Sequence, residues 1–304
     1  MKIRKLAAID IGSNAIRLLI NNVIEEKGKS PQFRKSSLVR VPIRLGQDSF
    51  TFGEISDENK QRMIDAMKAF KLIMNVHGVE KYMACATSAM REANNGQEVV
   101  GLIKKKSGIN IEVIDGKKEA AIIASTDLYK LIEKDKSYLY VDVGGGSTEF
   151  TVFTGEKVIA SRSFKIGTVR LLNEMVGQPV WDEIEKWIKQ YTSNLSKISI
   201  MGTGGNINKL HKISGRKIGE PLSYIWLNAQ YQFLKSLSYE DRISELGLNP
   251  DRADVIIPAT RIYLLAAKWS GAKKIHVPKI GLPDGVIKML YHNYYNNKTK
   301  KKKG

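Results

Sequence analysis

One pattern occurs twice in this chain, and it constrains the fold more than any other feature. Ala7–Gly12 and Leu139–Gly144 are both apolar strands that end in Asp, one apolar residue and glycine. Each is followed at once by a tight turn and a second segment rich in strand-forming residues. The two aspartates, Asp10 and Asp142, lie about one domain length apart. The repeat predicts two similar α/β domains in tandem.

The length of the chain agrees with this division, since 304 residues are enough for two domains of ordinary size. The charged segment Lys134–Lys136 indicates an exposed connection, and the boundary is expected within 122–136. We therefore predict an N-terminal domain over residues 1–122 and a C-terminal domain over 123–297. A basic tail over 298–304 follows.

Strand-like and helix-like segments alternate along both halves. Alternating apolar and basic residues predict a strand over 38–45, with Val39, Val41, Ile43 and Leu45 on its buried face. The amphipathic run Met63–Val76 predicts a helix, as does Trp181–Leu195 in the second half. Alternation of this kind is typical of α/β domains.

The charge of the chain limits its classes of partner. Lys and Arg number 49 against 31 Asp and Glu, which gives a net charge of +18, and the body stays basic when the tail lysines are left out. A positive field attracts polyanions such as nucleic acid, an acidic membrane or polyphosphate. No nucleic-acid recognition motif accompanies the charge, and a disordered, solvated end explains the tail better than a specific binding arm does.

The number of cysteines and the hydropathy of the chain indicate the cellular compartment in which the protein is expected. Cys85 is the only cysteine, so no intrachain disulfide can form, and we expect a buried structural residue. No apolar run reaches the roughly 18–20 residues that span a bilayer. The basic N-terminus leads into an apolar stretch that is broken by Asp10 and Asn14, so it is not a signal peptide. We expect a cytoplasmic protein without a membrane partner.

The two turns are suited to binding an anion. Glycine lets backbone N–H groups converge on a phosphate without a Cβ in the way, and hydroxyl and amide side chains add donors. The predicted phosphate contacts are Gly12, Ser13, Asn14, Gly144, Gly145, Gly146 and Ser147. One turn of this type is weak evidence, whereas two at domain spacing are much stronger.

The carboxylates of Asp10 and Asp142 would repel a phosphate in these turns unless a cation lay between. They therefore predict a divalent metal, Mg²⁺, held between carboxylate and phosphate oxygens. Glu149 and Ser147 share a strand face, because side chains in a strand alternate. Glu149 is thus a candidate metal ligand or a solvated strand carboxylate, and the residues alone leave both open.

Two further charged residues follow predicted strands. The stretch Ala86–Arg91 follows a predicted strand and opens a helix, in which Thr87 and Ser88 serve as caps or anion contacts. Arg91 suits either a bidentate phosphate contact or a salt bridge. Glu119 stands where it could orient an attacking water, although a first-turn glutamate favoured by the helix dipole is the stronger interpretation from the residues alone. The glycine-rich segment Gly202–Asn206 is a phosphate or nucleotide loop, or a simple strand-to-helix turn.

These motifs resemble those of the Ppx/GppA phosphatases, which comprise exopolyphosphatases and guanosine pentaphosphate phosphohydrolases. The segments that carry the resemblance are Ala7–Leu19, Ala86–Ala93, Ile114–Ala120, Val141–Glu149, Met201–Asn206, Arg252–Pro258 and Gly281–Val286. The family belongs to the actin–Hsp70–sugar kinase superfamily, whose halves are duplicated ribonuclease-H-like domains. The resemblance implies an α/β fold of two tandem ribonuclease-H-like (actin-like ATPase) domains with an interdomain active-site cleft.

The resemblance also implies roles for individual residues. Glu119 matches the catalytic glutamate that positions or deprotonates the water, and Asp142 and Glu149 match acidic residues associated with Mg²⁺. Residues that match phosphate contacts are Ser13, Asn14, Arg91 and Gly144 to Ser147. Two positions depart from the family pattern, since Lys118 replaces a frequent second glutamate and Pro283 replaces an arginine.

The expected activity is that of a Mg²⁺-dependent exopolyphosphatase-like hydrolase acting on inorganic polyphosphate. The alternatives are removal of the 5′ phosphate of guanosine pentaphosphate (pppGpp), an ATP-using kinase or ATPase of the same superfamily, and a non-catalytic regulator that binds polyphosphate or guanosine tetraphosphate. Oligomeric state is left open, a homodimer being one option.

Overall fold

The computed structural model describes residues 1–124, 126, 136–155 and 157–296. The chain forms two compact units, of which unit 1 comprises Met1–Thr126 with Gly281–Gly304, and unit 2 comprises Asp127–Ile280. In the described part of the chain, no helix has both the length and the apolar character needed to cross a bilayer.

Unit 1 is built on a mixed sheet. Its strands, in the spatial order β3-β2-β1-β4-β5, are β1 (Lys2–Ile11), β2 (Ile16–Glu25), β3 (Gln32–Val41), β4 (Lys81–Ala86) and β5 (Ile111–Val113). The first three strands form an antiparallel meander, whereas β4 and β5 run parallel to β1. The helices that precede unit 2 in the chain are α1 (Leu45–Phe52), α2 (Asp57–His77), α3 (Ser88–Glu92), α4 (Gly96–Ser107) and α5 (Gly116–Ala124).

Unit 2 repeats this plan. Its strands, in the order β10-β11-β9-β6-β7-β8, are β6 (Ser137–Val143), β7 (Thr148–Thr154), β8 (Lys157–Phe164), β9 (Ile198–Thr203), β10 (Leu222–Ser223) and β11 (Lys274–His276). Its helices are α6 (Thr168–Leu172), α7 (Gln178–Thr192), α8 (Gly205–Ile213), α9 (Tyr224–Ser236), α10 (Tyr239–Ser244), α11 (Pro250–Ala253) and α12 (Ile256–Ser270).

The two sheets share one topology over five strands, to which unit 2 adds β10 antiparallel to β11, and this confirms the predicted pair of α/β domains. Strands β6, β7 and β8 form an antiparallel meander, as β1, β2 and β3 do, and β9 and β11 continue the sheet in parallel. The centre of each sheet is buried on both faces, since Leu6–Ile11 and Tyr138–Val141 are almost fully covered. A strand covered on both faces is apolar throughout, which is why both copies of the repeat are visible in the sequence.

The chain after residue 280 belongs to unit 1, whereas the sequence predicted that residues up to 297 lie in the second domain. Helix α13 (Leu282–Tyr291) packs against β1 and α5. Its apolar residues Leu282, Val286, Ile287 and Leu290 are buried there. An apolar helix face indicates that it is covered but not by which sheet, so the sequence pattern gave no sign of this return. The predicted tail and most of the predicted boundary lie outside the described residues.

The predicted strand over 38–45 is also displaced. The strand is β3, which ends at Val41, and Pro42 follows. Proline has no N–H to contribute to a sheet, so it ends the pairing. Ile43 and Leu45 are buried as predicted, but Ile43 precedes α1 and Leu45 begins it, so neither lies on a strand face. Val39 and Val41 lie on β3 and are only half-buried.

Helix α13 lies so close to α5 that Gly285 has no room for a side chain. A Cβ on Gly285 would lie 2.2 Å from the carbonyl oxygen of Ile122. We expect Gly285→Ala to destabilise unit 1 by about 1–3 kcal/mol, because backbone has to move to relieve the overlap. The measurement is the urea midpoint by circular dichroism, with hydrogen exchange of the β1 amides as a local probe.

The matched control for this prediction is Gly101→Ala in the exposed face of α4. A Cβ there meets no atom within 4 Å. Since alanine is the better helix former, this variant should gain about 0.5–1 kcal/mol. Equal midpoints for the two variants would contradict the close packing of α13 on α5.

Candidate active site

The candidate residues of each unit lie at the carboxyl ends of parallel strands, the edge at which open α/β sheets bind ligands. In unit 1, β1 ends at Ile11, β4 at Ala86 and β5 at Val113. In unit 2, β6 ends at Val143 and β9 at Thr203. Within each unit, the topology therefore brings together residues that are distant in the chain.

The first turn is a tight hairpin between β1 and β2. The Gly12 N–H donates to the Ala15 carbonyl at 3.2 Å, and the Gly46 N–H donates to the Ser13 carbonyl at 2.8 Å. A Cβ on Gly46 would lie 2.8 Å from the Ser13 Cβ, so α1 approaches the turn at a distance that glycine alone allows. Ser13 is buried and Asn14 is half-buried. The turn is thus fixed by the start of α1.

The end of β4 is joined to this turn. The Ser13 and Ser88 hydroxyls are hydrogen bonded at 2.9 Å, and the Thr87 N–H donates to the Ile11 carbonyl at 3.1 Å. Thr87 occupies the N-cap position of α3 but its side chain makes no cap hydrogen bond. The predicted capping role therefore does not describe either hydroxyl. Arg91 is half-buried, and its Nη1 donates to the Ile114 carbonyl at 2.6 Å.

Asp10 has a cation as its cross-strand neighbour. Asp10 on β1 is directly opposite Arg17 on β2, and Arg17 Nη1 lies 2.8 Å from Asp10 Oδ2. Only 6% of Asp10 is exposed. The negative charge of this carboxylate is therefore offset within the hairpin itself.

Glu119 lies in the first turn of α5, directly after β5. Its N–H donates to the Asp115 carbonyl at 2.9 Å, and the Asp115 carboxylate accepts from the Lys118 N–H at 2.7 Å. Glu119 is half-buried, with Oε2 shielded from solvent. Burial raises the pKa of Cys85 on β4 to about 12, and nearby carboxylates, including Glu119, add to the shift. Glu119 thus lies within electrostatic reach of β4, and Cys85 is buried and structural, as predicted.

The second turn repeats the first and adds a carboxylate. The Gly144 N–H donates to the Ser147 carbonyl at 3.0 Å, the equivalent of the Gly12 bond. Glu149 is 4% exposed, so the alternative of a solvated strand carboxylate is wrong. Its Oε1 accepts hydrogen bonds from the Ser147 hydroxyl at 2.7 Å and the Ser163 hydroxyl at 2.9 Å. These bonds fix the carboxylate beside the turn.

Asp142 is oriented by a chain of hydroxyl groups. The Thr203 hydroxyl donates to Tyr140 at 2.7 Å, and the Tyr140 hydroxyl donates to Asp142 Oδ2 at 3.2 Å. Burial, with the charge of Asp142 next, raises the pKa of Tyr140 well above its ordinary value, so the phenol keeps its proton. The Tyr263 hydroxyl donates to the Thr203 carbonyl. This series of hydrogen-bonded hydroxyl groups holds the Asp142 carboxylate in one orientation.

The segment Gly202–Asn206 is a strand-to-helix turn that also lies beside Asp142. Gly204 has φ +112°, and a Cβ on it would lie 3.0 Å from the Val143 carbonyl oxygen and 3.5 Å from Asp142 Oδ1. Helix α8 begins at Gly205. Position 204 therefore needs glycine both for its backbone conformation and for space.

The sequence pattern does not single out several polar residues at the second turn. They are Tyr140, Ser163 and Arg170, together with the side chain of Thr203, whose segment Gly202–Asn206 is predicted only as a loop or a turn. Arg170 is buried, and its Nε donates to the Gly146 carbonyl at 2.8 Å. Strand alternation could have indicated Tyr140, which precedes Asp142 by two residues and shares its face. The others come from segments that only folding brings to the turn.

Asp142 and Glu149 are directly opposite each other on β6 and β7. Directly opposed residues have Cβ atoms about 4.5–5.5 Å apart, and like charges in such a pair destabilise the sheet. Among the residues that the structure describes, no group of three or more His, Cys, Asp and Glu side chains could hold a metal. Any metal at this pair would complete its coordination with other oxygen ligands.

Comparisons with known proteins agree with this architecture. The chain is 28% identical over 294 residues to a bifunctional 3-dehydroquinate synthase/phosphatase of Fusobacterium nucleatum, covering 84% of this chain but only 42% of that protein. It is 22% identical to exopolyphosphatase 1 of Mycobacterium tuberculosis, covering 93% of this chain and 87% of the relative.

Solved structures match nearly the whole chain. A crystal structure of an exopolyphosphatase from Cytophaga hutchinsonii has a TM-score of 0.78 at 25% identity, covering 95% of this chain and 97% of that one. A Ppx/GppA family member of Aquifex aeolicus has a TM-score of 0.74 at 24% identity, covering 97% and 99%. The model of the Ppx/GppA phosphatase family matches residues 35–293. The chain therefore belongs to the Ppx/GppA phosphatase family.

Proposed function

We propose that this protein is an exopolyphosphatase-like hydrolase that releases terminal orthophosphate from inorganic polyphosphate. The observation that carries the proposal is the duplicated glycine turn, which in unit 2 is flanked by a cross-strand pair of carboxylates, in a chain of a phosphatase family. Relatives named as exopolyphosphatases match over most of this chain. The net charge of +18 suits a polyanionic substrate.

In each unit, the backbone N–H groups of the glycine turn are proposed to bind phosphate, with side-chain donors beside them. Ser13 and Asn14 would contribute from the first turn, and Ser147 from the second. Arg91 adds a guanidinium group, whose five donors allow a phosphate contact besides its bond to the Ile114 carbonyl. Such donors stabilise the charge that develops on the equatorial oxygens during phosphoryl transfer.

Asp142 and Glu149 are the residues proposed to hold a divalent metal, Mg²⁺. Two opposed carboxylates fit that ion, since Mg²⁺ is bound by one or two carboxylates and completes its shell with water and substrate phosphate. Asp10 is less suited to the same task, because its charge is offset by Arg17. When bound, the metal would supply neutralising charge to phosphate oxygens.

Glu119 is proposed to be the catalytic base. Its carboxylate would accept a hydrogen bond from the attacking water and orient that water toward the terminal phosphorus. It would take up the proton of the water as the new P–O bond forms and the anhydride P–O bond breaks, which releases orthophosphate and leaves the shortened polyphosphate chain with the bridging oxygen. The first turn of α5 holds Glu119 on rigid backbone, and the shielding of Oε2 strengthens a hydrogen bond made there.

A substrate panel tests the proposed function. Steady-state rates are measured on long-chain polyphosphate, tripolyphosphate, pppGpp and ATP with saturating Mg²⁺. The proposal predicts the highest kcat/KM on polyphosphate, with orthophosphate as the product. A higher kcat/KM on pppGpp would instead assign the guanosine pentaphosphate activity, and negligible turnover of all four with tight binding would assign a regulator.

Replacement of the proposed base tests the mechanism. Glu119→Gln keeps the shape of the side chain but cannot accept a proton, so kcat should fall by about 10²–10⁴-fold. The dissociation constant for tripolyphosphate, measured by calorimetry, should stay within about threefold because the phosphate contacts remain.

The matched control for Glu119→Gln is Glu112→Gln on β5. Glu112 is an exposed carboxylate of the same unit that pairs with Lys118. Its removal changes the net charge equally and should leave kcat within about twofold, since surface ion pairs contribute little. Unchanged turnover in Glu119→Gln would remove this residue from its proposed role.

The Mg²⁺ concentration that the enzyme needs should depend on both carboxylates of the pair in unit 2. Asp142→Asn and Glu149→Gln each remove one anionic ligand, so the Mg²⁺ concentration at half-maximal activity should rise by about tenfold or more. Asp182→Asn is the control, because this exposed carboxylate on α7 is hydrogen bonded only at the surface to Gln178. If all three variants had the same Mg²⁺ dependence, the pair would not be the metal site.

A further inference from the structure

The carbonyl oxygens of the Gly144–Ser147 turn share one feature, which is that each accepts a hydrogen bond from the protein. The donors are the Thr168 N–H to Gly144 at 3.0 Å, the Val169 N–H to Gly145 at 2.9 Å, Arg170 Nε to Gly146 at 2.8 Å and the Gly144 N–H to Ser147 at 3.0 Å. The Arg170 N–H makes a longer second bond to the Gly145 carbonyl, at 3.4 Å. Four of these five bonds come from the start of α6.

The orientation of the carbonyls fixes the orientation of the amides. In a planar trans peptide the N–H of one residue points opposite to the C=O of the residue before it. The described chain contains no cis peptide bond. Since the carbonyls of Gly144, Gly145 and Gly146 point toward α6, the N–H groups of Gly145, Gly146 and Ser147 point to the opposite side. A row of amides on one side of a turn is the arrangement that binds anions.

The start of α6 reaches the turn because Gly167 has no side chain. A Cβ on Gly167 would lie 2.3 Å from the Gly145 carbonyl oxygen. The first turn has an equivalent support, since Gly46 donates its N–H to the Ser13 carbonyl. In unit 2, one side chain also donates a hydrogen bond to the turn, besides the backbone donors.

That side chain is Arg170, which is 9% exposed. A buried guanidinium group is retained only where hydrogen bonds compensate for its desolvation. Its Nε bond to Gly146 is the one side-chain bond among the five named above for the carbonyls of the turn. The group also brings a positive charge beside a turn proposed to bind a polyanion.

We propose that Arg170 is a positioning residue that holds the Gly146 carbonyl toward α6, so that the turn keeps its N–H groups aligned for an anionic phosphate group. The identity of that anion rests on the proposed function. Arg170 acts through the backbone of the turn and lies behind it, on the side of the carbonyls.

The test is phosphate binding by Arg170→Met, which keeps the length and apolar stem of the side chain but loses its donors. We expect the dissociation constant for tripolyphosphate to rise about tenfold, in keeping with the loss of a charge-assisted hydrogen bond. KM should rise with it, while kcat changes by less than about threefold. Arg170→Lys retains the charge and a single donor group, so its dissociation constant should lie between those of the wild-type chain and Arg170→Met.

The matched control is Arg162→Met. Arg162 is an exposed arginine on β8 that pairs with Glu183 and carries the same charge in the same unit. It should change the dissociation constant by less than about twofold. Equal losses in the two methionine variants would overturn the proposal, because they would show that overall charge, and not the position of the turn, sets the affinity.

Rescue separates positioning from a general effect on stability. Guanidinium ion at low millimolar concentration should restore much of the affinity of Arg170→Ala, and should leave Arg162→Ala unchanged. Absence of rescue, together with wild-type affinity in Arg170→Lys, would overturn the proposal. If Arg170→Met did not fold, Arg170→Lys and the rescue experiment would decide the question by the same criteria.

Calorimetry in the Glu119→Gln background distinguishes this inference from the proposed function. A wild-type chain that hydrolyses none of the panel substrates, but binds tripolyphosphate in an Arg170-dependent way, would refute the function and support the inference. An active wild-type chain in which Arg170→Met binds as Arg162→Met does would support the function and refute the inference.

Discussion

Each unit depends on a central strand that is paired on both sides and covered on both faces. Strands β1 and β6 occupy this position, and their inner residues are almost fully buried. Buried backbone has to be hydrogen bonded, so these strands remain regular until they end. Polar groups can be accommodated only at that end, and Asp10 and Asp142 stand there. The duplicated turns, with the amides that follow them, are therefore a consequence of how the centre of each sheet is buried.

The two copies of the hairpin have diverged in charge at one register position. In unit 1 the aspartate faces Arg17 across the strands, and in unit 2 it faces Glu149. The first pair joins opposite charges, whereas the second pair brings together two carboxylates that accept hydrogen bonds from hydroxyl groups. This difference is the reason that the metal is proposed for the pair in unit 2, whereas the roles proposed for unit 1 are those of Glu119 and Arg91.

Prediction from sequence succeeded where one strand and its turn carry the information. The helix predicted over Met63–Val76 is found within α2, and the repeat predicted both sheets. It failed where the outcome depends on a partner from elsewhere in the chain. The burial of α13 was visible in its apolar residues, but its place against β1 was not. The prediction of a strand over 38–45 was wrong for a local reason. Pro42 ends the strand pairing, although the alternation of apolar and basic residues continues beyond it.

The sequence by itself determined the two-domain α/β architecture, the glycine turns and the strand ends that hold Asp10, Asp142 and Glu149, because these features follow from short-range patterns of burial and turn chemistry. Only the tertiary structure decided which groups surround those turns. Thr203 reaches the Tyr140 hydroxyl beside Asp142 because β6 and β9 are neighbours. Arg170 meets Gly146 because Gly167 lets α6 approach the turn. Contacts of this kind are set by the packing of distant segments, which leaves no periodic signal in the chain.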